Sequence, residues 1–508
     1  MINIDNLPRY LSHILKKGAP RSGNSKTWVL IPPHQKTQFI NQYKKFASKA
    51  DHKTFVSGSW STWSFTQSKK SLLLILAPSA PSVVSHYGYL EDSMFQFWKN
   101  QGGALIQKEK LMGSAQICIE SGDLSYEDWL GFLVGIELGC YQYNQVYSAL
   151  KKTDDSANKF PTLYFSKNIK VVTSELILEA QSWGYGQNLA RHLVNLPPGE
   201  CYPEVVAEYV KHSFKGMSSV KVTVMSSKQL QNEKMGLLYA VGKGSEHEPK
   251  FVEIQYLPSV KSKVKKVAIV GKGVTFDTGG LDIKPSSGMR LMKKDMAGAA
   301  AVIGSMYYIA QSNLPISVSA YIPLAENSVD AKSMRPSDVY VSRNGLTVEI
   351  HNTDAEGRLI LADALDYAVT HKIKPDFLID VATLTGAIKT TLGLEIAGLF
   401  SNQDDLAEQL LKAAQESGDL AWRIPLYSRY SAQFSTPFAD LVNAVDGWAG
   451  PITAALFLEK FVRGVPWAHF DIYGWSDKPS GTQAHAGGNG QMVGLLNKFM
   501  RALAKVES

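Results

Sequence analysis

Cysteine is scarce in this chain of 508 residues, and the three present, Cys118, Cys140 and Cys201, are far apart. An odd, scattered set builds neither a disulfide framework nor a cysteine-rich zinc site, and it suits a reducing compartment. The eleven histidines are dispersed too, and no H-E-x-x-H is present. A G-x-S-x-G elbow, a Walker A loop and G-x-G-x-x-G are also missing, which removes the commonest serine-hydrolase, nucleotide and dinucleotide readings. Long apolar runs are lacking: "SLLLILAP" and "WLGFLVGIELGCY" are too short to span a bilayer and are broken by Pro, Gly or Glu. The opening "MINIDNLPRYLSHILKKGAP" has no basic segment followed by an apolar one, so no signal peptide is expected. A cytoplasmic protein without membrane contact is the expectation. Dense basic runs are absent as well. A net charge of +7 is spread over isolated lysine pairs such as Lys16–Lys17, Lys44–Lys45 and Lys69–Lys70, which reads as solvated surface and argues against a nucleic-acid role.

What is present is ample core material, 44% apolar against 19% charged residues, in a chain long enough for two domains. Residues 1–165 mix short strands ("TWVLIP", "SLLLILA") with amphipathic helices such as "TQFINQYKKFASKA", and a polar patch, "KKTDDSANKFP", follows. Residues 166–195 form a linking segment whose helix runs from about Thr173 to Val194. Pro197-Pro198-Gly199 breaks that helix, and Pro203 opens another. Residues 196–508 alternate strand and helix signals, so the fold class is α/β in both domains, the larger with a central, mostly parallel sheet flanked by helices. "KKVAIVG" and "PDFLIDVATLTGA" read as buried strands, "MKKDMAGAAAVIGSMYYIA" as a helix of small residues, and "VYVSRNGLTVEI" as a hairpin turning at Asn344-Gly345.

Ligands in open α/β sheets gather outside the carboxyl ends of the strands. Polar segments lie past three such ends: Gly271–Gly280, His351–Arg358 and Thr383–Gly386. The first holds Lys272 and Asp277 among glycines, with Lys284 close behind, and Asp295 follows eleven residues later. In the second, "HNTDAEGRLILADALDYAV", Thr353-x-x-Glu356 fits a capping box at a helix start. The same stretch also offers Asp354 and Glu356 on one face if its backbone is extended. Arg358 fits the first account poorly, because it adds positive charge at the positive end of a helix. His351 reads as a packed or hydrogen-bonded neighbour. Asp295 has a bland alternative, a solvent-facing acid beside Lys293 and Lys294. Four carboxylates with few histidines suit hard or borderline divalent ions, and bridging carboxylates suit a pair of them.

"VGKGVTFDTGGLDIKPSSGMRLMKKDMAGAAAV", "NTDAEGRLILADAL" and "DVATLTGAI" closely resemble the leucyl (cytosol) aminopeptidases, a family of dinuclear metallopeptidases, from about "NLARHLVNLPP" to "WAHFDIYGW". The resemblance implies an enzyme that releases N-terminal residues from peptides by means of a two-metal-activated water. It implies one metal ion on Lys272, Asp277, Asp295 and Glu356, and a second on Asp277, Asp354 and Glu356. It gives Lys284 to the scissile carbonyl and Arg358 to a bicarbonate acting as base. Lys272, Asp277, Lys284 and Asp295 would also contact substrate, Asp295 through the free α-amine. Met292, Thr383 and Gly386 would line a pocket favouring leucine or methionine. Zinc or manganese is the expected metal, with magnesium and cobalt as alternatives, and a homohexamer, a dimer of trimers, the expected assembly. The smaller domain would serve oligomerisation or regulation. A narrower dipeptidase, for instance for Cys-Gly, and an added DNA-binding role are the alternative functions. Ala297 stands where the family usually has glycine, so the helix beside Asp295 could be displaced. The tail "AHAGGNGQMVGLL" also departs from the commoner family pattern, which bears on specificity rather than on catalysis.

Overall fold

A computed structural model describes residues 15–17, 26–35, 37–38, 41, 62–67, 70–76, 93–111, 116–143, 160–259, 264–371 and 374–505. Most of the expected helix "TQFINQYKKFASKA" and residues 151–159 of the polar patch lie outside them. The chain divides into two compact units, one of Pro8–Tyr185 with Pro479–His485, the other of Gly186–Lys478 with Ala486–Ser508.

The first unit holds strands β1 (Leu15–Lys17), β2 (Lys26–Ile31), β3 (Thr62–Gln67), β4 (Lys70–Leu76), β5 (Gln116–Ser121) and β6 (Thr162–Phe165) in one sheet of order β1-β6-β5-β2-β4-β3. Two helices pack closely, α1 (Met94–Leu111) and α2 (Tyr126–Gly139), because glycines face backbone across the contact. A Cβ on Gly102 would lie 2.3 Å from the Phe132 carbonyl oxygen, and one on Gly135 2.0 Å from that of Lys99. Helix α2 starts in a reciprocal cap in which the Ser125 hydroxyl accepts from the Asp128 amide while the Asp128 carboxylate accepts from that of Ser125.

Helix α3 (Ser174–Asn195) stops ahead of Pro197, and helix α4 (Pro203–Ser213) opens on Pro203. The second unit is built on a nine-stranded sheet. Its strands are β7 (Val220–Met225), β8 (Lys250–Tyr256), β9 (Lys266–Gly271), β10 (Gly273–Asp277), β11 (Ser317–Asn327), β14 (Phe377–Ala382), β15 (Ala397–Ser401), β16 (Ala421–Arg423) and β18 (Trp467–Asp471). Between β11 and β14 the hairpin strands β12 (Val339–Val341) and β13 (Thr347–Glu349) pair antiparallel about Gly345, at φ +95°; β17 (Leu441–Val442) adds a parallel third strand. The main order is β16-β15-β18-β14-β9-β11-β8-β7, with β10 beside β11. The centre, β18-β14-β9-β11, is parallel throughout. Its strands are mostly apolar and buried on both faces, as expected of parallel strands covered by helices.

Helix α5 (Ala297–Gln311) covers one face, and its small residues let it touch the sheet backbone. A Cβ on Gly298 would lie 2.1 Å from the Val381 carbonyl oxygen. The stretch "MKKDMAGAAAVIGSMYYIA" is therefore not one helix. A 3-10 turn over Met292–Lys294 comes first, and α5 begins only at Ala297. Ala297 sits against Gly474, where an added Cβ would come within 2.4 Å of the alanine's own. Among the described residues no helix is long and apolar enough to cross a membrane.

Candidate metal centre

The parallel strands deliver the site from their carboxyl ends. Lys272 follows β9 directly, Asp277 ends β10, Asn327 ends β11 and Thr383 follows β14. Asp277 is nearly fully buried, and its Oδ1 accepts from the Gly279 amide and from Asn327 Nδ2, both at 2.8 Å. Gly279 and Gly280 both have positive φ. A Cβ on Gly280 would press on Thr353 Oγ1 and Asn327 Oδ1, so only glycine fits there.

Lys272 lies at the middle of the buried side. Its Nζ is 2.9 Å from an Asp295 oxygen, 2.9 Å from Glu356 Oε1 and 2.9 Å from the Thr383 carbonyl, and Thr383 Oγ1 donates to Asp295 Oδ1 at 2.8 Å. Asp295 is thus buried and ion-paired, and the solvent-facing reading of it is set aside. Lys284, half-buried, pairs with Asp277 at 2.8 Å and with Asp354. Burial alone would lower both lysines, but the facing carboxylates win and raise them above the usual lysine range. Burial pushes Glu356 up to about 8, with Asp277 adding to it against the pull of Lys272, and Asp295 and Asp354 are raised for the same first reason.

The segment carrying Asp354 and Glu356 is a turn. It is neither an extended strand nor a capping box. The Ala355 amide donates back to the Asn352 carbonyl, and the Asp354 amide to Asn352 Oδ1 at 2.7 Å. Thr353 Oγ1 gives its proton to the Gly279 carbonyl at 2.6 Å and accepts from the Asp282 amide at 2.9 Å. Helix α6 (Gly357–Thr370) starts with Glu356 at its N-cap, and no side chain caps it. The capping-box expectation fails because both of its members are engaged by residues far away in sequence. Gly357 is required by proximity: a Cβ there would lie 2.6 Å from Lys272 Nζ. Gly357→Ala is therefore expected to displace the pinned amine and lower kcat at least about tenfold at unchanged fold, checked by kinetics beside a circular dichroism spectrum.

Arg358 is buried on the first turn of α6. Its Nη1 donates to the Asn443 carbonyl at 2.8 Å, its Nε has no hydrogen-bond partner among the described residues, and burial lowers it to about 10. A free donor on a buried guanidinium at a helix N-terminus is a place for an anion. His351 is exposed, with Nε2 3.4 Å from a Glu349 oxygen, a neighbour of the cluster rather than a member. Of the pocket candidates, Thr383 is part of the lysine network, Met292 is half-buried, and Gly386 is exposed as the first residue of α7 (Gly386–Leu392).

Among the described residues, one oxygen each of Asp277, Asp354 and Glu356 lie within 4.8 Å of one another. The second oxygen of Glu356, on a residue 1% exposed, has no hydrogen-bond partner among them. An unpartnered carboxylate oxygen at that depth calls for a cation. Carboxylates with one amine form a donor set for hard or borderline divalent ions. The residues fit such ions. Asn327, Asp282 and Asn443 were not identified from sequence; each is an isolated polar residue whose side-chain partners lie 26 to 92 positions away.

The fold and this cluster together define an α/β metalloenzyme. The chain belongs to the cytosol aminopeptidase family, whose catalytic domain matches residues 188–497. It is 41% identical over 367 residues to the probable cytosol aminopeptidase of Pseudomonas fluorescens, covering 72% of this chain and 73% of that one. The solved cytosol aminopeptidase of Coxiella burnetii shares 30% of its sequence at a TM-score of 0.77, over 96% and 99% of the two chains. The bottromycin maturation enzyme BotP, solved in complex with Mn, shares 28% at a TM-score of 0.80, over 95% and 100%. The protein is a metal-dependent aminopeptidase, a hydrolase acting on peptides, with divalent metal cofactors.

Proposed function

We propose that the centre holds two divalent ions, zinc or manganese with magnesium and cobalt as alternatives, and removes single residues from peptide N-termini. Lys272, Asp277, Asp295 and Glu356 would hold one ion, and Asp277, Asp354 and Glu356 the other. The observation that carries this reading is the convergence of Asp277, Asp354 and Glu356 around the unpartnered Glu356 oxygen. Such ions, when bound, supply Lewis acidity for a carbonyl and a water. Lysine ligates only as the neutral amine, so Lys272 would hold an ion only with its proton lost to solvent.

The chain's own groups do the rest. Asp295 accepts from the free α-amine of the substrate, which restricts release to first residues. Lys284 brings positive charge to the carbonyl oxygen as it becomes an oxyanion. Arg358 would hold a bicarbonate through its Nε, and that group, when bound, would supply a base for the water. Leucine and methionine suit a first-residue pocket with Met292 on its wall, though one methylene separates substrates by only about 1–3 kcal/mol. The assembly is a homohexamer in the cytoplasm; a monomer in sedimentation would overturn that part.

The deciding experiment is hydrolysis of a leucyl amide with and without chelator, followed by add-back of each metal. Activity should vanish and return with the metal, and activity indifferent to the chelator would overturn the reading. Arg358→Ala should lower kcat at near-normal metal content, and its rate should respond less to added bicarbonate than the wild type's.

A further inference from the structure

The ladder between β13 and β17 ends with the Asn443 amide donating to the Glu349 carbonyl at 2.9 Å. Beyond it the backbone leaves the sheet, and the Asn443 side chain continues the ladder. Its Oδ1 accepts from the amides of His351 at 2.8 Å and Asn352 at 3.3 Å. Its Nδ2 donates to the carbonyls of Asn352 at 2.7 Å and Ala355 at 3.3 Å. A carboxamide has two lone pairs and two donors, and here all four serve the single turn that carries Asp354 and Glu356. The residue is fully buried, and its main-chain carbonyl is the one that holds Arg358 Nη1.

Given the two-ion reading of that centre, we infer that Asn443 is a positioning residue, which fixes Asp354, Glu356 and Arg358 relative to one another through one peptide unit and one carboxamide. It touches none of the reacting atoms. Between Asn352 and Glu356 no strand or helix supports the backbone, so this side chain does the work that a neighbouring strand does elsewhere. Aspartate at 443 keeps the shape and both acceptor contacts but turns an oxygen toward two carbonyl oxygens. That opens the turn on the side of Ala355.

The test uses the full chain with Asn443→Asp and Asn443→Ala. Affinity for Mn²⁺ is measured by titration calorimetry, kcat and KM on a leucyl amide, and thermal unfolding on the metal-stripped protein. The expected result is Mn²⁺ binding weaker by about 10–100-fold, the usual effect of losing a partner that orients ligands. With it, kcat should fall by at least about tenfold while KM changes by less than about threefold. The unfolding midpoint of the aspartate variant should stay near that of the wild type. If Asn443→Ala does not fold, the aspartate variant decides. Metal affinity and kcat within about twofold of wild type in that variant would overturn the inference. So would its failure to fold, or a midpoint that falls in step with metal binding, since the residue is then only structural. Wild-type protein that binds no Mn²⁺, or Asp354→Ala as active as wild type, would instead defeat the two-ion reading.

Discussion

Asp354→Ala should lose bound metal and activity together. Asp354 is the most exposed of the three clustered carboxylates and the one Lys284 shares with Asp277. Its removal takes a ligand from the proposed second ion and leaves Asp277 and Glu356 to hold that ion alone. Losing a mere orienting partner weakens metal binding by about 10–100-fold, and losing a ligand should exceed that. Metal content after dialysis and kcat/KM on a leucyl amide are the two measurements. Retention of both would sink the assignment of this residue. The lost interaction is specific, because the Asp354 amide is held by Asn352 Oδ1 and the turn itself has no need of the carboxylate.

Lys284→Ala should separate the two properties. The lysine is not among the proposed ligands, so metal content should stay near normal, while kcat falls by about 10²–10³-fold, the usual effect of removing one donor to a developing oxyanion. KM should change little, since the charge is needed most in the transition state. In the folded protein this ammonium already lies between two carboxylates, so its removal leaves Asp277 and Asp354 facing each other and gives no reason for weaker cation binding. A variant that turns over normally, or one that loses its metal, would each contradict the role given to Lys284.

The parts of the structure that sequence made legible are those governed by local chemistry. "KKVAIVG" and "PDFLIDVATLTGA" could be placed as strands from their apolar runs, the hairpin from Asn344-Gly345, and the end of α3 from Pro197. The strand-end rule then put Lys272, Asp277 and Thr383 in one region. Residues whose surroundings come from tertiary pairing were harder to place. Asp295 looked like a surface acid beside two lysines, because its burial depends on Thr383 and Lys272, 88 and 23 positions away. Thr353 looked like a cap because its true partner, the Gly279 carbonyl, is 74 residues back. The spacing of Asn443 gave no hint at all, since its partners are fixed only when β17 joins β13. Motif resemblance named the proposed ligands and missed the residues that hold them.

The non-sequential strand order also sets a timetable. Asp471, the last residue of β18, accepts from the amides of Leu384 and Thr385 and so pins the loop whose Thr383 carbonyl receives Lys272. That residue leaves the ribosome some 200 positions after Lys272. Until it does, the loop lacks its anchor and β14 lacks its outer neighbour, and long-range pairings of this kind form late. A chain cut short before Asp471 should therefore be inert, so that peptide cleavage is withheld until β18 has been made.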